Sequence, residues 1–281
     1  MLVKEIQHIF HKELDELFGK EEVDSFFFML IAYYNNLSRL SLVLSPDMVF
    51  TKDEEQPIFE ALSRLKLQEP IQYIIGEAYF FGLSFKVNKH TLIPRPETEE
   101  LVQWIIATVD KNKEIHILDI GTGTGCIAIS LAANLPNAKV SAIDVSHEAI
   151  EIARFNATKN EVKVNFIKQN ILEVEKLPHY FDIIVSNPPY VRELEKREMK
   201  PNVLNYEPNL ALFVSNSDPL IFYKKIATLA QQYLLADGKL FFEINQYLGT
   251  EMQTMLQQLN FKNIQLKQDI RANNRMLLAS K

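Results

Sequence analysis

Beyond residue 115 the chain alternates between two periodicities. Segments that read as strands, several rich in β-branched residues, fall at 115–120, 139–144, 163–168, 181–186, 239–244, 261–267 and 275–279. Stretches with helical spacing lie between them, near 126–135, 147–159, 219–235 and 247–259. Strand runs separated by helices build βαβ units, and such units stack into a mainly parallel, doubly wound α/β sheet. Seven runs therefore predict a seven-stranded sheet. Sheets of this class hold their ligands in the crevice beyond the carboxyl ends of the strands. The informative residues are those at which an apolar run gives way to polar or conformationally special ones.

One such place follows Ile117-Leu118-Asp119-Ile120, where the chain reads Gly121-Thr122-Gly123-Thr124-Gly125 before a helix. Glycines let the backbone approach a ligand closely. A dinucleotide fingerprint needs its third glycine three residues after the second. That position is Cys126 here, and the glycine stands at 125. The resulting GxGxG behind Asp119 resembles the first motif of the class I methyltransferases that bind S-adenosylmethionine. The resemblance implies that Gly121 to Gly125 pass beside the methionine and ribose parts of that cofactor. Asp144 ends the next run, where a carboxylate can accept both ribose hydroxyls. The other reading of Asp144 is a cap for the helix starting near Ser146. Asn170 and Ile171 follow the third run, where class I enzymes hold the adenine. Cys126 has no evident histidine partner and reads as a packed small residue.

A second place is the end of the run 181–186, which opens into Asn187-Pro188-Pro189-Tyr190. Each proline fixes its own φ and restricts the residue before it to extended conformations. The carbonyls of such a turn cannot easily swing away. Asn187 adds a side-chain amide oxygen as acceptor, and Tyr190 adds a flat face. Fixed acceptors beside an aromatic plane suit a planar group bearing an NH2, which is a primary amide or an exocyclic base amine. The plain alternative is a proline turn after a strand.

Residues 1–70 read as an all-helical unit. Val3, Ile6, Phe10, Leu14 and Leu17 share one helical face, and glycine is absent between Gly19 and Gly76. His8 and His11 lack a third ligand nearby and read as surface histidines, so no metal is expected. Residues 71–93 read as a linker whose aromatic, partly alternating stretch from Tyr79 to Val87 forms a hairpin turning at Gly82. The sheet domain then spans 94–281. It opens on Leu92-Ile93-Pro94-Arg95-Pro96-Glu97-Thr98-Glu99, an extended segment whose acids suit the first turn of a helix.

The longest apolar run, 26–34, is too short to span a bilayer, and the first residues resemble neither a signal nor a transit peptide. A single cysteine excludes an internal disulfide framework. The expectation is a cytoplasmic protein, and a monomer. Net charge is −6, and residues 1–90 carry most of it, with 9 Lys/Arg against 14 Asp/Glu. No basic segment suited to gripping a polyanion is present at this level.

Taken together, these motifs closely resemble the PrmC/HemK family, the protein-(glutamine-N5) methyltransferases of class I peptide-chain release factors. The resemblance runs from Glu69 onward, through Pro70 to Gly76, Tyr79 to Gly82, Leu92 to Glu99, Asp119 to Gly125, Asp144, Asn187 to Tyr190 and Tyr206-Glu207-Pro208. The N-terminal helices match the family in pattern. One departure is Asn245, which follows Glu243-Ile244 where glycine is common. The resemblance implies a class I, Rossmann-like methyltransferase sheet with a small N-terminal helical bundle and a linking β-hairpin. It implies S-adenosylmethionine as cofactor and the glutamine of a Gly-Gly-Gln loop as substrate. Asn187, Pro188, Pro189 and Tyr190 then form the catalytic and substrate-binding turn, with Asn187 also beside the cofactor. Arg95 either holds Glu97 or shapes the pocket over the cofactor, or it forms an ion pair with Glu99 or Glu207 that fixes the domain junction. Two rival readings stay open. One is methylation of an exocyclic amine of adenine or guanine, with the base stacked on Tyr190. The other is a cofactor-binding protein without catalysis.

Overall fold

A computed structural model describes all residues, 1–281. The chain divides into two compact units, one of Met1–Gly76 with Pro201–Tyr206 and one of Glu77–Lys200 with Glu207–Lys281.

The first unit is helical: α1 (Val3–Phe18), α2 (Lys20–Asn35), α3 (Arg39–Leu44), α4 (Lys52–Lys66) and α5 (Ile71–Ile75), joined by a short helix from far along the chain. Val3, Ile6, Phe10 and Leu14 of α1 are buried, and the Phe10 ring meets Phe27 of α2 edge-on at 5.4 Å. Leu17 shares their spacing but is exposed, because α1 ends at the following residue. Phe18 takes the inward place instead, 5.2 Å from the Phe26 ring. Thr51 caps α4 reciprocally with Glu54: its amide donates to the Glu54 carboxylate at 2.8 Å while its hydroxyl accepts the Glu54 amide. The Tyr206 hydroxyl donates to the Leu67 carbonyl at 2.8 Å and ties the returning helix to this unit.

The second unit begins with a hairpin, β1 (Glu77–Phe80) and β2 (Leu83–Lys86). Its two-residue turn, Phe81-Gly82, has positive φ at both positions (51° and 76°), the twist that hairpins favour. After α6 (Pro96–Ala107) the chain follows β3 (Ile115–Ile120), α7 (Cys126–Asn134), β4 (Ala138–Asp144), α8 (His147–Lys159), β5 (Val164–Lys168) and β6 (Phe181–Ser186). It continues through β7 (Val191–Arg192), α9 (Pro201–Tyr206, the helix of the first unit), α10 (Asn209–Leu212), β8 (Phe213–Val214) and α11 (Ile221–Tyr233). It closes with β9 (Leu234–Glu243), α12 (Gly249–Gln258), β10 (Lys262–Gln268) and β11 (Asn274–Ser280).

Seven strands form one sheet in the order β10-β11-β9-β6-β3-β4-β5. β5, β4, β3, β6 and β9 run parallel, and β11 and β10 are antiparallel additions at one edge. Successive residues of the central strands feed opposite faces, as the pleat requires. Leu118, Ile184, Phe242 and Leu277 join one core, and Ile117, Ile183, Phe241 and Leu278 join the other. The chain winds outward from β3 through β4 to β5 and then returns to the far side of β3 with β6. The switch point therefore lies at the carboxyl ends of β3 and β6, where an open α/β sheet leaves a crevice. No helix is long and apolar enough to cross a membrane.

Candidate active site

The loop after β3 is shaped by its glycines. Gly121, Gly123 and Gly125 have φ of +76°, +54° and +81°, a region costly for residues with a Cβ. They are not equivalent. A Cβ on Gly123 would meet nothing within 4 Å, whereas one on Gly125 would stand 2.8 Å from Ile129 Cδ1 and 3.2 Å from Ala153 Cβ. Gly125 thus permits α7 and α8 to pack, and Gly123 leaves its face of the loop open. The loop hangs on β4: the amides of Gly121 and Thr122 donate to the Ile143 carbonyl at 2.8 and 3.0 Å. Asn156, fully buried on α8, donates to the Thr124 carbonyl at 2.9 Å and exchanges hydrogen bonds with the Lys86 backbone.

Two carboxylates flank the loop. Asp119 is buried, and its Oδ2 accepts the Thr122 hydroxyl at 2.6 Å while Oδ1 has no hydrogen-bond partner. Burial pushes its pKa up to about 7, against the pull of the Thr122 hydroxyl. Asp144 accepts the Gly123 amide at 2.8 Å with Oδ2 and the Ser146 amide at 2.9 Å with Oδ1. Ser146, not Asp144, caps α8, its hydroxyl accepting the Ala149 amide at 3.1 Å. Each Asp144 oxygen retains acceptor capacity beyond those bonds. Burial raises its pKa, and the two amides pull it down.

A cavity of about 430 Å³ lies against this loop. Volumes of about 300–1,000 Å³ are those of small-molecule sites. Gly121 to Thr124, Cys126, Asp144, Asn170 and Ile171 line it together with Asn187, Pro188 and Pro189. Thr91, Pro94, Arg95 and Thr98 add a second wall, and Leu210, Ala211, Phe222 and Ile226 an apolar one. Asn170 caps the following 3-10 turn through the Leu172 amide at 3.1 Å, and its Nδ2 donates to Glu173. Burial pushes the Cys126 thiol up to about 12, so it stays protonated at neutral pH.

The turn after β6 is held from several sides. The Ser186 hydroxyl donates to the Ile120 carbonyl at 2.6 Å, pinning the end of β6 to β3. A Cβ on Gly121 would lie 3.9 Å from the Asn187 carbonyl oxygen, so the two loops are neighbours. Tyr190 is placed differently from the three residues before it. It is absent from the cavity wall and packs against the apolar core beneath β9. Its hydroxyl donates to Glu243 Oε1 at 3.0 Å, and burial together with that carboxylate raises its pKa. Gly125 likewise stands outside the lining, in keeping with its packing role.

Four further residues join the turn, and of these the sequence marks only Asn245, as a departure from the family pattern. Glu243 ends β9 and is buried; its Oε2 accepts the Thr98 hydroxyl at 2.6 Å. Thr98 Oγ1 in turn accepts Asn187 Nδ2 at 3.4 Å. Arg275 Nη1 donates to the Tyr190 hydroxyl at 3.4 Å. Asn245 Nδ2 donates to the Tyr190 carbonyl at 3.0 Å and to Glu195 Oε2 at 2.9 Å, bonds that glycine at this position could not make. Arg95 lines the cavity, and its Nη2 pairs with the buried Glu207 at 2.5 Å.

The residues present fit S-adenosylmethionine. The cradle at Gly123 is open where a Cβ would intrude, the volume suits a nucleoside-sized ligand, and a carboxylate stands at the end of β4.

The chain is similar to known proteins along nearly its whole length. The Methyltransferase small domain matches residues 99–205, and the PrmC N-terminal domain matches residues 10–76. A release factor glutamine methyltransferase of Flavobacterium psychrophilum is 54% identical over 99% of this chain and 98% of its own length. One of Bacteroides thetaiotaomicron is 42% identical over 96% of this chain and 97% of its own length. Among solved structures, a methyltransferase from Pyrococcus furiosus superposes with a TM-score of 0.53 at 20% identity, covering 82% of this chain and 99% of that one, a likeness of fold. The chain belongs to the family of release factor glutamine methyltransferases.

Proposed function

We propose that this protein transfers the methyl group of S-adenosylmethionine to the side-chain amide nitrogen, N5, of the glutamine in the Gly-Gly-Gln loop of class I peptide-chain release factors. The observation that carries the reading is the meeting of the glycine loop and the Asn187-Pro188-Pro189 turn in one cavity. When bound, the cofactor supplies an activated methyl group on a sulfonium, whose carbon–sulfur bond breaks as the nitrogen–carbon bond forms. An amide nitrogen is a weak nucleophile because its lone pair is delocalised, so the protein's task is alignment and exclusion of water. Asn187 Oδ1 and the Pro188 carbonyl accept hydrogen bonds from the target NH2. They fix the nitrogen in line and stabilise the positive charge that develops on it. No strong general base is needed, because an N-methylated amide cation releases its proton readily. Tyr190 anchors the end of the turn through Glu243. Gly121 to Thr124 cradle the methionine and ribose parts, Asp144 accepts the ribose hydroxyls, and Asn170 with Ile171 holds the adenine. Residues 1–70 dock the release factor. The protein acts as a cytoplasmic monomer on protein and not on nucleic acid.

The test is methyl transfer from labelled S-adenosylmethionine to a purified release factor. Label on the intact factor, and none on the same factor with its loop glutamine replaced, is the expected result. Label on DNA or ribosomal RNA, with none on the factor, would overturn the substrate assignment.

A further inference from the structure

Asn187 can serve the target NH2 only if its oxygen faces the cavity, and nothing in the residue itself fixes which way the amide points. A side-chain amide has an acceptor end and a donor end of nearly the same shape, so its neighbours decide. The neighbour here is Thr98, whose Oγ1 stands 3.4 Å from Asn187 Nδ2. A threonine hydroxyl has one hydrogen. That hydrogen is committed elsewhere: Oγ1 lies 2.6 Å from Glu243 Oε2, a length typical of a hydroxyl donating to a carboxylate. With its proton spent, Thr98 can only accept, and an accepting oxygen selects the NH2 end of Asn187. The amide oxygen is left for the cavity.

Glu243 is placed to keep this direction fixed. Its second oxygen accepts the Tyr190 hydroxyl at 3.0 Å, so one carboxylate holds the end of the turn directly and its start through Thr98. Thr98 and Glu243 are 2% and 1% exposed, which keeps water from substituting for either partner. They come from the first turn of α6 and the last residue of β9, two elements far apart in sequence. A buried carboxylate is costly unless its lone pairs are used. Burial raises the Glu243 pKa, and the Thr98 hydroxyl, the nearby charge of Arg275, itself paired with Asp269 at 3.1 Å, and the Tyr190 hydroxyl oppose that rise.

We propose that Thr98 and Glu243 are positioning residues for methyl transfer. The hydroxyl of Thr98, its proton committed to Glu243, accepts the Asn187 N–H and so presents Asn187 Oδ1 to the substrate amide. This rests on the reading of Asn187 as the acceptor. It concerns the direction of a hydrogen-bond chain, which a general structural role would not require.

The test compares Thr98→Val, Thr98→Ser and Asn187→Ala in the full-length protein. Valine keeps the shape and removes the hydroxyl. Thr98→Val is expected to lower kcat about ten- to hundredfold, the cost of leaving the half-buried Asn187 donor unpaired and the amide free to turn. KM for the release factor and the dissociation constant for S-adenosylmethionine should stay within about twofold, and Thr98→Ser should restore most of kcat. Should Thr98→Val prove unstable, Thr98→Ser with Glu243→Ala offers a second reading. Loss of kcat in Glu243→Ala with cofactor binding retained, beside an active Thr98→Ser, supports the chain, and unchanged kcat in Glu243→Ala overturns it. If Thr98→Val turns over normally while Asn187→Ala is inactive, the positioning proposal fails and the role of Asn187 survives. If Asn187→Ala itself turns over normally, both fail together.

Discussion

The glycine loop after β3 and the proline turn after β6 line the same cavity and are built on opposite devices. The loop uses residues with the widest conformational range, three of them at positive φ, and leaves its surface bare. The turn uses the two residues of narrowest range in sequence, and the groups at its ends are tied by Thr98, Glu243, Asn245 and Arg275. A cofactor held by shape needs backbone that can come close. A nucleophile held in line needs acceptors that cannot move. The difference predicts that changes in the loop will be read in cofactor affinity or stability. Changes in the turn will be read in kcat.

The largest effect expected is that of Asn187→Ala. Removing a preorganised polar group from the reacting centre costs about a hundredfold or more in kcat. Cofactor affinity, measured by calorimetry, should change by less than about threefold. A variant that loses the cofactor as well would erase the division between the two loops.

The glycine loop offers a comparison within itself. Gly125→Ala sets a Cβ at positive φ against Ile129 and Ala153, and should destabilise the fold by about 2–4 kcal/mol. Gly123→Ala bears a similar φ strain but meets no protein atom, so its stability loss should be nearer about 1–2 kcal/mol. On the proposed cofactor placement its methyl group faces the ligand, and binding of S-adenosylmethionine should weaken about tenfold or more. Thermal denaturation of the cofactor-free variants, beside direct binding of the cofactor, separates the two outcomes. Equal stability losses would show that packing behind the loop does not distinguish its glycines.

How much of this could be read in the sequence depends on where the cause of each feature lies. The central strands were legible because burial on both faces writes itself as apolar runs, whereas β10, exposed along most of its length, shows only scattered apolar residues. The edges of β9 were not. The pair Asp237-Gly238 looks like a turn before a strand at 239, yet β9 starts at Leu234. β6 advances from Phe181 to Ile183 while β9 advances from Leu234 to Lys239, so the turn is looped out between two paired segments. The loop and the turn were legible because glycine and proline declare their backbone role by identity. Thr98, Glu243 and Arg275 were hidden because their role is a matter of contact between distant segments. The one available signal was an acid closing the run Leu240-Phe241-Phe242-Glu243 at a carboxyl strand end. Asn245 was visible as a departure from its family, and its reason, a hydrogen bond to the Tyr190 carbonyl, needed the fold. The return of Pro201–Tyr206 to the helical unit left no periodic mark at all.

Asp119 extends the comparison to pH. Its pKa is raised by burial to about 7 from a value of 3.8. Between those values the folded chain holds a proton that the unfolded chain has released. Stability of the cofactor-free protein therefore falls as pH rises through that window and is flat, for this group, above it. Asp119→Asn cannot ionise and keeps an oxygen for the Thr122 hydroxyl. The difference in unfolding free energy between the two proteins, followed from pH 4 to 8, should drift in favour of the variant. A pH-independent difference would mean that Asp119 stays ionised in the fold, satisfied by groups beyond Thr122.

The smallest effect is expected where the turn is loosened without losing a polar group. Pro189→Ala leaves Asn187 and the Pro188 carbonyl in place and widens the range of both Pro188 and residue 189. Unfolded-chain entropy alone should cost about 0.4–1 kcal/mol of stability. If the acceptors are held mainly by proline, the same freedom appears at the reacting centre and kcat falls by about two- to fivefold, a loss of that energy in positioning. If they are held mainly by the Thr98–Glu243 chain and by Asn245, stability falls and kcat does not. The double variant Pro189→Ala with Thr98→Val separates these causes. A loss in kcat greater than the product of the single losses would mean that the rigid backbone and the directed hydrogen bonds each compensate for absence of the other. A simple product would mean that they fix different atoms, proline the Pro188 carbonyl and Thr98 the Asn187 amide. Because the two acceptors sit on adjacent residues and serve one nitrogen, the coupled outcome is the one expected.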